Sequence, residues 1–247
     1  MVANHPGGRY LYCITETTDE PPFEKPGLFG KRAFAIPYKD ICAVVSNVPL
    51  KEMRPDAETI TAHQMVVEES RSKSTTLPVR FGIMFKSDDN VKSMLAKSYK
   101  DLKSKMDKIR GKDEFGLKII VDHSDLKKIS ILSGETGEIK KMKKEMKTAG
   151  KGTAYFIKMR MDEAIRNETY RRMEQMSREL HDEIGKACEE SSILRSDFDE
   201  ILLNAAYLVD RKQSTEFHKT IEGLRGRYKT SGLVFHLSGP WAPYSFC

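Results

Sequence analysis

The sequence predicts an α+β protein of two domains: a mixed-sheet N-terminal domain, and a ferredoxin-like C-terminal domain with a long helix and an extended aromatic tail. Three observations carry this. Short β-branched and aromatic runs alternate with amphipathic helical stretches along all 247 residues. The second half orders them as strand, long helix, strand, strand, helix, strand, the β-α-β-β-α-β order of a ferredoxin-like unit. With 39% hydrophobic and 32% charged residues and a mean hydropathy of -0.53, the composition is that of a soluble globular protein able to bury two small cores.

Arg9–Thr15 reads as the first strand, following a Pro/Gly leader. Thr17–Gly30, with three prolines and two glycines, reads as a surface loop. Ala33–Pro37 and Ile41–Ser46 are two short strands joined by a tight hairpin, and Pro37 marks an edge or a strand end. Pro55-Asp56 opens a helix that runs to about Arg71. Thr75–Phe85 is strand-like, but Pro78 and Gly82 interrupt it and predict a kink or bulge. Ser87-Asp88-Asp89 supplies an N-cap and negative charge for a helix striped by Val91, Leu95, Leu102, Met106 and Ile109, which Gly111 ends. Glu114–Asp122 returns as an apolar strand and completes a first domain over residues 1–121.

The second domain covers residues 122–247 and on one reading shares the strand at 114–121. It opens with a helix-like Ser124–Leu132 and a lysine-rich segment, Glu138–Lys151, in which six lysines face two glutamates. That segment reads as a solvated stretch, with a docking patch for an acidic partner as the alternative. A helical pattern then runs from Thr153 to about Ser191 on the stripe Ile157, Met161, Ile165, Thr169, Met173, Met176, Leu180, Ile184 and Cys188. Threonine and methionines in place of regular leucines favour a helix that lies across a sheet and projects beyond it; a partner-binding or coiled-coil surface is the other reading. Strands at Ile193–Phe198 and Ile201–Val209, a helix at Ser214–Arg227, a strand at Gly232–Leu237 and a tail at 238–247 complete the chain.

Several function classes lose support at this level. No run of about 18 apolar residues offers a membrane span, and the first residues lack the charged and apolar regions of a secretory signal, so a cytoplasmic location is expected. The net charge of +6 invites a nucleic-acid reading, but basic and acidic residues interleave in both halves. Cys13, Cys42, Cys188 and Cys247 have no metal-ligand spacing, and the first two sit in strand-like runs as small buried hydrophobes. Neither a metal nor a cofactor is expected: no phosphate-binding glycine loop, HExxH or GxSxG stretch occurs. His63 reads as a satisfied structural or surface histidine, and Asp197-Phe198-Asp199-Glu200 as a solvated turn. The competing class is a ferredoxin-like RNA-binding or regulatory module, for which Arg80-Phe81-Gly82 is a poor match to the RNP1 order. Arg80 itself, placed on a central strand, calls for a carboxylate partner such as Glu114.

Two stretches exceed what helix or strand propensity selects: Thr76-Leu77-Pro78-Val79-Arg80-Phe81-Gly82 and Gly239-Pro240-Trp241-Ala242-Pro243-Tyr244-Ser245-Phe246. With Arg9-Tyr10-Leu11-Tyr12, Ala43-Val44-Val45-Ser46, Ala62-His63, Gly111-Lys112-Asp113-Glu114 and Gly116-Leu117-Lys118, the chain resembles the gas vesicle protein F/L family (GvpF/GvpL) over nearly its full length. Cys13 is a small departure, at a position where that family more often has glycine. The resemblance implies a non-enzymatic accessory protein, a minor component or assembly factor that contacts the apolar major gas vesicle shell protein and other gas vesicle accessory proteins, with no nucleic acid or membrane partner. It makes Leu77, Pro78, Arg80, Phe81 and Gly82, with Gly239, Pro240, Trp241, Pro243, Tyr244 and Phe246, candidate partner-binding or structural positions. In the tail, Pro240 and Pro243 favour extended backbone, and Trp241, Tyr244 and Phe246 supply contact area at low entropy cost. The tail is expected to fold back on the protein's own sheet or on the seam between domains.

Overall fold

The computed structural model describes residues 7–16, 23–121, 136–196 and 200–247. It contains two sheets and, among the described residues, five α-helices, and it divides into two compact units. The first unit comprises residues 1–114 and 239–247, the second 115–238. This differs from a boundary at 121/122 with the tail in the second domain: β6 (Lys112–Val121) and β9 (Leu233–Trp241) each contribute to both units.

In the first unit β1 (Gly7–Glu16) is the central strand. β2 (Phe34–Tyr38) and β3 (Ile41–Pro49) form the expected hairpin through Lys39-Asp40, with Pro37 on the edge strand. On the other side β1 pairs with two short pieces, β4 (Thr76–Pro78) and β5 (Met84–Phe85), so the stretch around Pro78 and Gly82 is a break between two edge strands. α1 (Ala57–Lys73) starts at Asp56, which caps the Thr59 amide at 2.8 Å while the Thr59 side chain accepts from the Asp56 amide. α2 (Asp88–Ile109) starts at Ser87, as the sequence predicts. α1 packs on β1 and β4, and α2 against β2 to β5.

β1 carries two tyrosines that are fully buried with their hydroxyls, and burial of a hydroxyl requires a partner. Tyr12 accepts from the Leu28 amide at 2.8 Å and pairs with the Ser46 hydroxyl at 2.7 Å. Gly27 lets this happen, since a Cβ there would stand 2.2 Å from the Tyr12 oxygen. Tyr10 accepts from the Gly82 amide at 3.2 Å and pairs with Nδ1 of His63 at 2.8 Å. The other ring nitrogen of His63, Nε2, is a buried atom with no hydrogen-bond partner among the described residues. His63 is thus structural but only half satisfied. Burial pushes it down from 6.5 to about 4, opposed in part by the nearby Val79 backbone.

The second unit holds the sheet β7-β8-β6-β9, where β7 is Glu190–Ile193 and β8 is Ile201–Asp210. Alternate residues of β6 (Phe115, Leu117, Ile119, Val121) and β8 (Leu203, Ala205, Tyr207, Val209) form its core with Phe217, Ile221 and Leu224 of α5 (Ser214–Arg227). The long helix α4 (Lys151–Gly185) ends six residues before the expected Ser191, at a turn into β7, and the strand predicted at Ile193–Phe198 is displaced to 190–193. Only its C-terminal half reaches the core, through Met173, Leu180 and Ile184. Its N-terminal half pairs with α3 (Gly137–Thr148), the lysine-rich segment, which is a helix burying Ile139 and Met142. The helix expected at 124–132, and residues 197–199 of the acidic turn, lie outside the described residues.

Three outcomes are expected in chemical denaturation. Tyr12→Phe strands the Leu28 amide and the Ser46 hydroxyl and costs about 1–3 kcal/mol. Leu180→Ala opens the second core and costs about 2–5 kcal/mol, whereas Ile157→Ala, on the half of α4 away from that core, costs less than about 1 kcal/mol. For His63 the folded pKa lies below the unfolded one, so its contribution is fully present above pH 6.5 and is lost as pH falls toward 4, on the order of 3 kcal/mol in all. Stability measured across that window should flatten in His63→Gln.

Candidate partner-binding surface

The two distinctive segments both belong to the first unit. Leu77 and Pro78 are buried in β4, and the Val79 amide donates to the Tyr12 carbonyl at 3.0 Å as the last rung of that ladder. The chain then turns away. Gly82 adopts φ +96, which only glycine takes without strain, and presents its amide to Tyr10. Phe81 is half-buried, with its ring 5.8 Å from Tyr10 and 5.9 Å from His63. Arg80 corrects an expectation: it lies in this turn and not on a central strand, it is exposed, and it has no ion pair among the described residues. The edge strand stops at Pro78, so a guanidinium two residues later faces solvent and needs no carboxylate.

Glu114 serves the tail instead. β9 runs on through Gly239 and Pro240 to Trp241, and a short turn at Tyr244–Phe246 ends the chain. The tail is thus a strand followed by a 3-10 turn, and it is pinned by side chains of α1 and β6. The Ala242 amide donates to Oε1 of Glu68 at 3.0 Å, and the amide and hydroxyl of Ser245 donate to the two oxygens of Glu114 at 2.8 and 2.7 Å. Arg71 bridges Glu68 at 2.7 Å, Asp113 at 2.6 Å and the Pro240 carbonyl at 3.4 Å. Ala242, Pro243 and Phe246 are buried, and the Lys108 ammonium stands 5.9 Å from the centre of the Phe246 ring.

This anchoring leaves Trp241 and Tyr244 at the surface, 46% and 38% exposed. With Gln64, Glu68 and Glu114 they line a cleft of about 230 Å³. Burial pushes the Glu114 carboxyl above the usual carboxylate range, against the pull of the Ser245 bonds. A second apolar surface follows the other flank of α1, where exposed Phe29 and Met65 line a groove of about 600 Å³ beside Asp56 and Glu58.

Sequence reasoning located the tail and the turn but missed their fastenings, Glu68, Arg71 and Asp113. One signal was available: Glu68 and Arg71 stand at helical i, i+3 spacing on α1. The RNA-binding alternative finds little to stand on. Arg80-Phe81-Gly82 is outside the four-stranded sheet, and the positions of its central strands opposite the core, Gly116, Lys118 and Ile120 on β6 and Asn204, Ala206 and Leu208 on β8, carry no aromatic ring for base stacking.

The chain is similar to gas vesicle proteins throughout. Gas vesicle protein L of Streptomyces sp. (strain CB03234) is 24% identical over 96% of this chain and 92% of its own length. Gas vesicle protein F of Haloferax mediterranei is also 24% identical, with the same coverage. Among solved structures, GvpF from Anabaena sp. PCC7120 superposes with a TM-score of 0.83 at 19% identity over 97% of this chain and 98% of that one, so the fold is shared. GvpF from Microcystis aeruginosa gives 0.76 at 21% identity, over 97% and 98%. The family model of the gas vesicle synthesis protein GvpL/GvpF matches residues 8–247, and the chain belongs to that family.

Proposed function

We propose that this chain is a non-enzymatic accessory protein of gas vesicle formation that binds the major shell protein in the cytoplasm and supports its assembly, as an assembly factor or as a minor component of the vesicle. The observation that carries this reading is the family match across residues 8–247. The tail gives it a physical form. Large aromatic side chains that are exposed on a fixed backbone offer contact area without an ordering cost on binding, and tryptophan and tyrosine are the types most enriched at interface hot spots. Trp241 and Tyr244 meet both conditions, and the Phe29 and Met65 groove adds apolar surface on the same unit. We assign the motif around Pro78 to holding α1 and β1 together, and the tail to the partner. The second unit we read as ferredoxin-like, a reading supported by its strand order β7-β8-β6-β9, the 2-3-1-4 arrangement of a β-α-β-β-α-β chain.

Co-expression with the major shell protein, followed by affinity capture of this chain, tests the proposal. The wild-type chain is expected to retain the shell protein, and Trp241→Ala/Tyr244→Ala to lose about tenfold or more of that capture while melting within a few degrees of wild type. No capture by the wild-type chain would overturn the shell-protein reading; full capture by the double variant would move the contact away from the tail. The fastening is tested separately by Trp241, the sole tryptophan, whose emission should shift to the red in Arg71→Ala as the Arg71 contacts to Glu68, Asp113 and the Pro240 carbonyl are lost and the tail is released.

A further inference from the structure

We infer that the cleft between Trp241, Tyr244, Glu68 and Glu114 is a receptor for an arginine side chain of the partner protein. The inference rests on reading the tail as a docking surface, and it names the chemistry that surface takes. Charge decides the sign of the ligand. Glu68 is ion-paired with Arg71, which it shares with Asp113, but Glu114 has only the two Ser245 donors and no cation against it among the described residues. A half-buried carboxylate without a counter-charge is an electrostatic deficit that an incoming cation removes. Each oxygen of Glu114 accepts one bond from Ser245, and a carboxylate has about four acceptor sites, so a pair of sites remains for a forked donor.

The walls decide which cation. Trp241 and Tyr244 present aromatic surface beside the carboxylate, and a planar guanidinium both stacks on such a face and forks onto a carboxylate. An ammonium does neither: it is a compact and strongly hydrated point charge that meets a ring or a carboxylate by charge alone. The cleft volume of about 230 Å³ admits one side chain and no folded element, so the unit recognised is a single residue on a partner surface. Gln64 at the rim carries no hydrogen bond among the described residues and can meet the ligand's backbone.

The test titrates the full chain with the capped tripeptide acetyl-Ala-Arg-Ala-amide and follows the emission of Trp241. A saturable change is expected, with the citrulline counterpart, neutral and of the same shape, binding about tenfold more weakly. Glu114→Gln keeps both Ser245 bonds, one to its carbonyl and one from its amide, so the tail stays docked and the unliganded emission of Trp241 is unchanged. This variant should weaken the arginine peptide by a similar factor. Equal binding of the arginine and citrulline peptides, undiminished binding to Glu114→Gln, or no response of Trp241 would overturn the inference; a lysine peptide binding as tightly as the arginine one would overturn the guanidinium assignment. Shell-protein capture that is sensitive to the tail without peptide binding would leave the docking surface standing and remove the arginine cleft. Peptide binding without shell-protein capture would do the reverse.

Discussion

Arg71 is the constraint on which the candidate surface depends. One guanidinium joins helix α1 through Glu68, the start of β6 through Asp113 and the tail through the Pro240 carbonyl. Asp113 is 8% exposed, and an aspartate so placed is tolerable only while a cation stays beside it. The network therefore acts less by adding stability than by permitting one arrangement: a tail in any other position would leave Glu68 without the Ala242 amide and Glu114 without Ser245. A buried ion pair of this kind contributes little net energy against an apolar substitute, and its value here is that it names a single register for the last nine residues.

The fold was legible wherever one local rule acted alone. Asp56 and Ser87 announced two helix starts because a cap is a local hydrogen bond, and Tyr38 to Ile41 announced a hairpin because the turn is short. Where two rules competed, the sequence misled. The stripe through Cys188 continues the helical period past Gly185, yet the pairing of Glu190–Ile193 with β8 takes precedence over propensity, and α4 ends there. The lysines of α3 likewise mask a helix, because a charged run reads as solvent-facing while Ile139 and Met142, three residues apart, suffice to bury one face.

The surface was less legible than the fold, and for a physical reason. The motif residues are side chains with unusual shapes, which a sequence displays directly; their fastenings are ordinary glutamates and an arginine whose importance comes from long-range contacts, 174 residues apart for Glu68 and Ala242. Spacing carries no information about such a pair. Glu114 shows the limit best. It was legible only as a carboxylate that could satisfy Arg80, but Pro78 ends the edge strand and sends Arg80 to solvent, while Glu114 binds the tail.

A docked tail and a free one would offer a partner the same side chains but different thermodynamics. Ordering an aromatic side chain and its backbone on binding costs about 1–2 kcal/mol per residue of backbone, with more for the side chain. In this chain hydrogen bonds to Glu68, Glu114 and Arg71 meet that cost on folding, before any partner arrives. A partner docking on the tail as proposed would gain the burial of Trp241 and Tyr244 in full, each of which can remove roughly 150–250 Å² from water when completely covered. Preorganisation would also confer selectivity: two rings and a carboxylate held in one cleft can discriminate by shape and charge, which a mobile aromatic tail, able to collapse on any apolar surface, would not. For a member of the gas vesicle synthesis protein family proposed to bind an apolar partner, that difference would separate a specific contact from general adhesion.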